Sequence, residues 1–134
     1  MKIFLSYRFT GEDPVELKDN LGKILDVLRT NKHDVYCSLE DEAWFQEKTH
    51  TNKEIMEHAF QKLDESELLL AFIKSDDKSE GMLLEIGYFL GKGKPFALAL
   101  KNGVKTTSIK EMANPLIEFE NIDNLCEKLK AFYL

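Results

Sequence analysis

Ser79, Gly81 and Glu85, in the run KSEGMLLEIGYF, are the residues of this chain whose types and spacing could do chemistry. They sit at the mouth of an expected helix that directly follows an apolar strand, Leu68 to Ile73. In a parallel α/β sheet that is the carboxyl edge of a strand, where such folds bind ligands. An ionised carboxylate there can attack an electrophilic carbon or stabilise a cation. A hydroxyl and free backbone N–H groups beside it can hold an anion. Together they point to a phosphorylated or sugar-containing small molecule. Glu85 could instead only complement the helix dipole. Its neighbours Met82, Leu83, Leu84 and Ile86 favour burial, which an acid seldom tolerates without a partner or a task. Ser79 suits a helix cap as well as a phosphate ligand.

Strands and helices alternate from end to end. Strands are expected at Lys2–Ser6, Asp34–Ser38, Leu68–Ile73, Pro95–Leu100 and Leu116–Glu118. The third is a continuous apolar run, the mark of a central parallel strand covered on both faces. Helices are expected from Val15 to Thr30, from Thr51 or Asn52 to Leu63, from Gly81 to Leu90 and from Ile122 to Phe132, with a short helix or turn at Thr107–Ala113. Asp13 followed by Pro14 is a helix start, a cap with proline at the first position. Leu39 to His50 is polar and aromatic and reads as a loop.

This alternation predicts an α/β flavodoxin-like three-layer sandwich: one domain over residues 1–134, with a five-stranded parallel sheet in the order 2-1-3-4-5. The switch point then falls between strands 1 and 3. The segments Tyr7–Asp13 and Lys74–Glu80 should face each other across the ligand crevice. That brings Ser6, Tyr7 and Arg8 to the motif. Arg8 offers a planar, permanently charged fork for phosphate or carboxylate, or else a salt bridge with Glu12 or Asp13. Tyr7 could orient Glu85 by a hydrogen bond. Trp44 and Phe45 could stack a nucleobase, line an oligomer interface or cover the core.

The formal net charge of -6, with scattered lysines, argues against a nucleic-acid partner, which needs a basic patch. Cys37 and Cys126 are far apart, and no histidine has ligand spacing with them, so neither a metal nor a cofactor is expected. No segment approaches the ~20 apolar residues of a membrane span, and the opening MKIFLSYRF is too quickly polar for a signal peptide. A cytoplasmic location is the expectation. No Walker loop or GxGxxG fingerprint is present.

SYRFTGED together with LLLAFIKSDDKSEGMLLEIGYFLGKGKPFALAL resembles the nucleoside 2-deoxyribosyltransferase superfamily, which includes the 2′-deoxynucleoside 5′-phosphate N-hydrolases. The resemblance implies cleavage or transfer at the N-glycosidic bond of deoxynucleosides or their 5′-monophosphates. It implies Glu85 as the nucleophile on C1′. Ser6, Arg8, Ser79 and Gly81 fall where the hydrolase branch binds phosphate. It further implies a homo-oligomer in which a neighbouring subunit completes the pocket from around Thr107, Ser108 and Met112. One residue departs from the pattern: the family's acid, which protonates the leaving base, aligns with Ala59. Losing such an acid slows a poor leaving group by about 10²–10⁴-fold. TIR domains are a more distant resemblance, through the FLSY strand and the serine-to-glutamate spacing, and they imply either NAD cleavage or a signalling module. The Trp-Cys pair usual before their glutamate is replaced by Gly81 and Met82. The Ala59 departure also leaves open a nucleotide-binding protein without catalysis.

Overall fold

The computed structural model describes residues 1–77 and 79–132. Lys78, which opens the KSEGMLLEIGYF stretch and lies in the expected Lys74–Glu80 segment, falls outside the described residues, as do Tyr133 and Leu134. Five strands, β1 (Lys2–Tyr7), β2 (Asp34–Tyr36), β3 (Leu68–Ile73), β4 (Phe96–Lys101) and β5 (Leu116–Phe119), form one sheet in the order β2-β1-β3-β4-β5. Every pairing is parallel, with Ile3 opposite Leu68 and Leu69 opposite Phe96 in the central registers. The helices are α1 (Pro14–Thr30), α2 (Glu42–Gln46), α3 (Asn52–Asp64), α4 (Glu80–Gly91), α5 (Ser108–Met112) and α6 (Ile122–Lys130).

Helix starts are set by short polar side chains that take up free backbone N–H groups. Asp13 accepts from Val15 and Glu16 ahead of α1, and Pro14 follows it. Thr51 and Glu54 form a reciprocal capping box on α3, and Ser79 accepts from the Met82 N–H on α4. Each helix then buries one stripe. On one face of the sheet Leu17, Leu21, Ile24 and Leu28 of α1 join Leu125 and Leu129 of α6 over Ile3 and Leu5. On the other, Ala59 and Leu63 of α3 join Met82, Ile86 and Phe89 of α4 over Phe4, Leu69, Ala71 and Leu98. The sheet between two helix layers is the expected three-layer sandwich, and strand alternation decides which face each β1 side chain meets.

The stretch expected as a loop, Leu39–His50, is more ordered than its composition indicates. β2 ends at Tyr36 rather than Ser38, and the chain turns through a 3-10 segment at Ser38–Glu40 into α2. Arg29 fixes that turn by bonding both Glu40 carboxylate oxygens and the Val35 carbonyl. Trp44 is then sandwiched between two imidazoles, His50 at 3.7 Å and His58 at 3.8 Å, both within 9° of parallel. His58 Nε2–H donates to Asp41 Oδ2 at 2.8 Å, and the Tyr36 hydroxyl donates to the same oxygen. Both faces of the indole are occupied, so in this conformation Trp44 is not a platform for a nucleobase. It acts as a packed wedge between α2 and α3. Among the described residues, no helix is long and apolar enough to cross a membrane.

Candidate active site

The two strand ends at the switch point do meet. Arg8, just past β1, lies 3.6 Å from Asp77, and Lys74, just past β3, lies 3.3 Å from Glu12. Between and above them opens a cleft, lined by Arg8, Glu12, Lys74, Asp77 and Ser79 on its polar side and by Phe72, Met82 and Val104 on its apolar side. Glu85 is outside that lining and stands against β1. There the Ser6 hydroxyl donates to Glu85 Oε1 at 2.6 Å, across 79 residues of sequence.

Glu85 is half-buried, and its environment sets its protonation. Burial raises its carboxyl and the Ser6 hydrogen bond lowers it, with burial winning, so the group is pushed up to about 7 from an ordinary 4.5. Near neutral pH it is therefore divided between acid and carboxylate. The Ser6 bond favours the carboxylate, because a hydroxyl donates more strongly to a charged oxygen. Removing it in Ser6→Ala should lift the Glu85 value further. A rate that needs ionised Glu85 then rises with pH through a limb displaced upward by about one unit. A pH–rate profile checks this; superposable limbs for wild type and Ser6→Ala would refute the coupling.

Ser6, not Tyr7, holds Glu85. Ser6, expected at the phosphate, is only 1% exposed and donates its hydroxyl to Glu85. Tyr7, expected to orient Glu85, places its hydroxyl 2.6 Å from Ser38 Oγ instead. Burial is the main cause that pushes the Tyr7 phenol up to about 12, which keeps it neutral. Ser6 shares the face of Phe4, toward α3 and α4, while Tyr7 packs with Leu5 toward α1.

The remaining candidates divide as follows. Ser79 caps α4 and lines the cleft at once. A Cβ on Gly81 would meet only ordinary contacts at 3.9 Å, with Met56 and Ser79, so packing within the chain does not require glycine there. Ser108 and Met112 are exposed on α5 and do not line the cleft themselves, although Ile109 of the same helix does. The Ala59 position holds no acid: Ala59 is buried among Leu63, Met82, Ile86 and Phe89. Nor do its neighbours substitute. His58 is turned to Asp41, and Asp64, bonded by the Tyr88 hydroxyl, sits at the end of α3 that leads into the start of β3, the opposite sheet edge. Two residues missing from the expected set enter the site, Lys74 and Asp77. Lys74 is flagged in the sequence only as the first residue beyond the apolar strand.

The sequence model of nucleoside 2-deoxyribosyltransferase matches residues 7–125, nearly the whole chain. The chain belongs to the nucleoside 2-deoxyribosyltransferase family. Solved structures agree on the fold. The CMP N-glycosidase BcmB of Clostridium botulinum superposes with a TM-score of 0.74 at 16% identity, covering 99% of this chain and 100% of that one. A 2-deoxyribosyltransferase of Bacillus psychrosaccharolyticus gives 0.75 at 18% identity, covering 100% and 93%. A conserved protein of Enterococcus faecalis gives 0.69 at 17%, covering 97% of each chain. No protein of curated function matches the sequence.

Proposed function

We propose that this protein cleaves or transfers the N-glycosidic bond of 2′-deoxynucleosides or their 5′-monophosphates, with Glu85 as nucleophile. The observation that carries the proposal is the Ser6–Glu85 hydrogen bond, which fixes a partly buried carboxylate at the sheet switch point beside a cleft whose lining includes Arg8 and Lys74. Ser6 holds Oε1, leaving Oε2 to attack C1′. The new C–O bond forms as the C1′–N bond breaks, and the bonding pair leaves on the base nitrogen. Water, or a second base, then attacks C1′ and frees the Glu85 carboxylate. With Ala59 on α3, the departing base takes its proton from solvent. The cleft receives the 5′ end, with Arg8 and the Ser79 end of α4 facing a phosphate.

Chromatography for free base tests this, using a panel of deoxynucleosides, their 5′-monophosphates and NAD with wild type and Glu85→Gln. Base release lost in the variant is the expected result; equal release would reject Glu85. Nicotinamide release from NAD alone would favour the TIR-like reading. The Ala59 substitution supports one other outcome, nucleotide binding without turnover, which calorimetry with no base release would reveal.

A homo-oligomer completes the site on this reading. Leu83 and Leu84 on α4 and Met112 on α5 are 41%, 49% and 58% exposed, apolar side chains that a second subunit would cover. Sedimentation should therefore give a mass above the 15.5 kDa of one chain. An active monomer would exclude a contribution from Ser108 and Met112 of a neighbour. The proposed location is cytoplasmic.

A further inference from the structure

The polar end of the cleft already contains an anion of the protein's own. Glu12, with a side chain 11% exposed, places Oε1 3.2 Å from Arg8 Nη1 and Oε2 3.3 Å from Lys74 Nζ. The two cations come from the two strand ends that meet at the switch point, and one carboxylate bridges them. The β1–α1 segment is shaped for this contact. Gly11 has φ +82°, and a Cβ there would stand 2.7 Å from Arg8 Nη2, so the guanidinium lies against bare backbone.

The charge balance around the bridge is unusual for a phosphate seat. Arg8 also meets Asp77 at 3.6 Å, and Lys74 also meets Glu16 at 3.2 Å. Lys105, the other cation of the lining, donates its backbone N–H to Asp76. Among the described residues, Glu12 and Asp77 thus meet Arg8, and Glu12 and Glu16 meet Lys74. A phosphate monoester, carrying about -1.5 to -2 charges and three acceptor oxygens, would have to compete with these carboxylates for Arg8 and Lys74. A neutral 5′-hydroxyl would meet no such opposition.

We propose that Glu12 is a displaceable internal anion seated between Arg8 and Lys74, and that its grip sets the choice between 5′-phosphorylated and 5′-hydroxyl substrates. A phosphate takes the seat by expelling the Glu12 carboxylate, and Lys74 then joins Arg8 as its second cation. The proposal rests on assigning the cleft to the 5′ end of a nucleotide. Tethering makes Glu12 a competitor of high effective concentration. Its removal therefore tightens phosphate binding, whereas a strut that merely held the two segments in place would loosen it.

Titration with inorganic phosphate, followed by calorimetry, separates these. Glu12→Gln should bind phosphate about tenfold more tightly than wild type. The ratio of KM for a deoxynucleoside 5′-monophosphate to KM for the matching nucleoside should fall by a similar factor. Lys74→Met should weaken phosphate binding about tenfold. If Glu12→Gln does not fold by circular dichroism, Glu12→Asp carries the test, because its shorter arm cannot span both cations; about threefold tighter binding is expected. Phosphate binding that is unchanged, weaker or absent in the folded variant overturns the proposal. Tightened phosphate binding with no base release from any substrate leaves the displaceable anion standing and rejects the glycosidase instead.

Discussion

Glu85→Gln should abolish the proposed base release and at the same time stabilise the fold above neutral pH. The loss should be at least about 10³-fold in kcat, because an amide cannot form the glycosyl ester and nothing else at the site replaces it. The stability gain follows from burial. Glu85 is raised to about 7 in the fold against 4.5 unfolded, so the protonated acid is the form the fold prefers. Its contribution is complete below about pH 4.5 and is lost as pH rises through 7. Glutamine stays neutral and keeps that contribution at every pH. Wild type and variant should thus unfold alike near pH 4.5. By pH 8 the variant should lead by about 2–3 kcal/mol, or several degrees in Tm. Denaturation at the two pH values checks it. A variant less stable at pH 8 would mean that the ionised carboxylate has a stabilising partner beyond Ser6. An opposition between stability and activity is what a site residue should show, and a carboxylate that served only the helix dipole would not show it.

The second large effect concerns the leaving group. Where the family resemblance implies an acid, Ala59 is buried in the apolar layer between α3 and α4. His58, the adjacent residue, is committed to Asp41 and stacked on Trp44, and Asp64 lies at the far sheet edge. The departing group must then carry its own negative charge away or take a proton from water. A 2-deoxyribosyl 5′-phosphate bearing a nitrophenolate leaving group should react at least about 10²-fold faster than a deoxynucleotide with an ordinary base. Rates across a series should climb steeply as leaving-group pKa falls. For ordinary bases, solvent protonation favours low pH while Glu85 needs to be ionised, which confines activity to a narrow optimum. Equal rates along the series would show that an acid reaches the base after all, from a partner subunit or from a moved side chain. That comparison also separates a weak enzyme from a binder, since a non-catalytic protein would release neither leaving group.

Particular residues show how far the sequence carries. Apolar runs at Leu68–Ile73 and Phe96–Leu100, caps at Asp13, Thr51 and Ser79, and strict alternation were enough for the sheet order and the switch point, because each is a local signal with one structural solution. The meeting of the β1 and β3 ends followed from topology alone. The partner of Glu85 is Ser6 rather than Tyr7, and strand parity carries that information. Side chains alternate along a strand, and Phe4 and Ser6 share the face on which α4 must lie. Following that parity would have put Ser6, and not Tyr7, against Glu85. The order of the Leu39–His50 stretch was not legible in the same way. It depends on His58 stacking on Trp44 and on Tyr36 and His58 meeting Asp41, partners that lie outside any local window. Lys74 is similar: its pairing with Glu12 and Glu16 exists only once β3 is set beside β1.

The most direct test of the central claim is intact-protein mass spectrometry on enzyme quenched during turnover of a deoxynucleoside 5′-monophosphate, followed by peptide mapping. A mass increase equal to one deoxyribosyl phosphate, located on the α4 peptide at Glu85 and missing in Glu85→Gln, is the expected result. A deoxyribosyl adduct on any other residue, or base release that continues undiminished in Glu85→Gln, would contradict it.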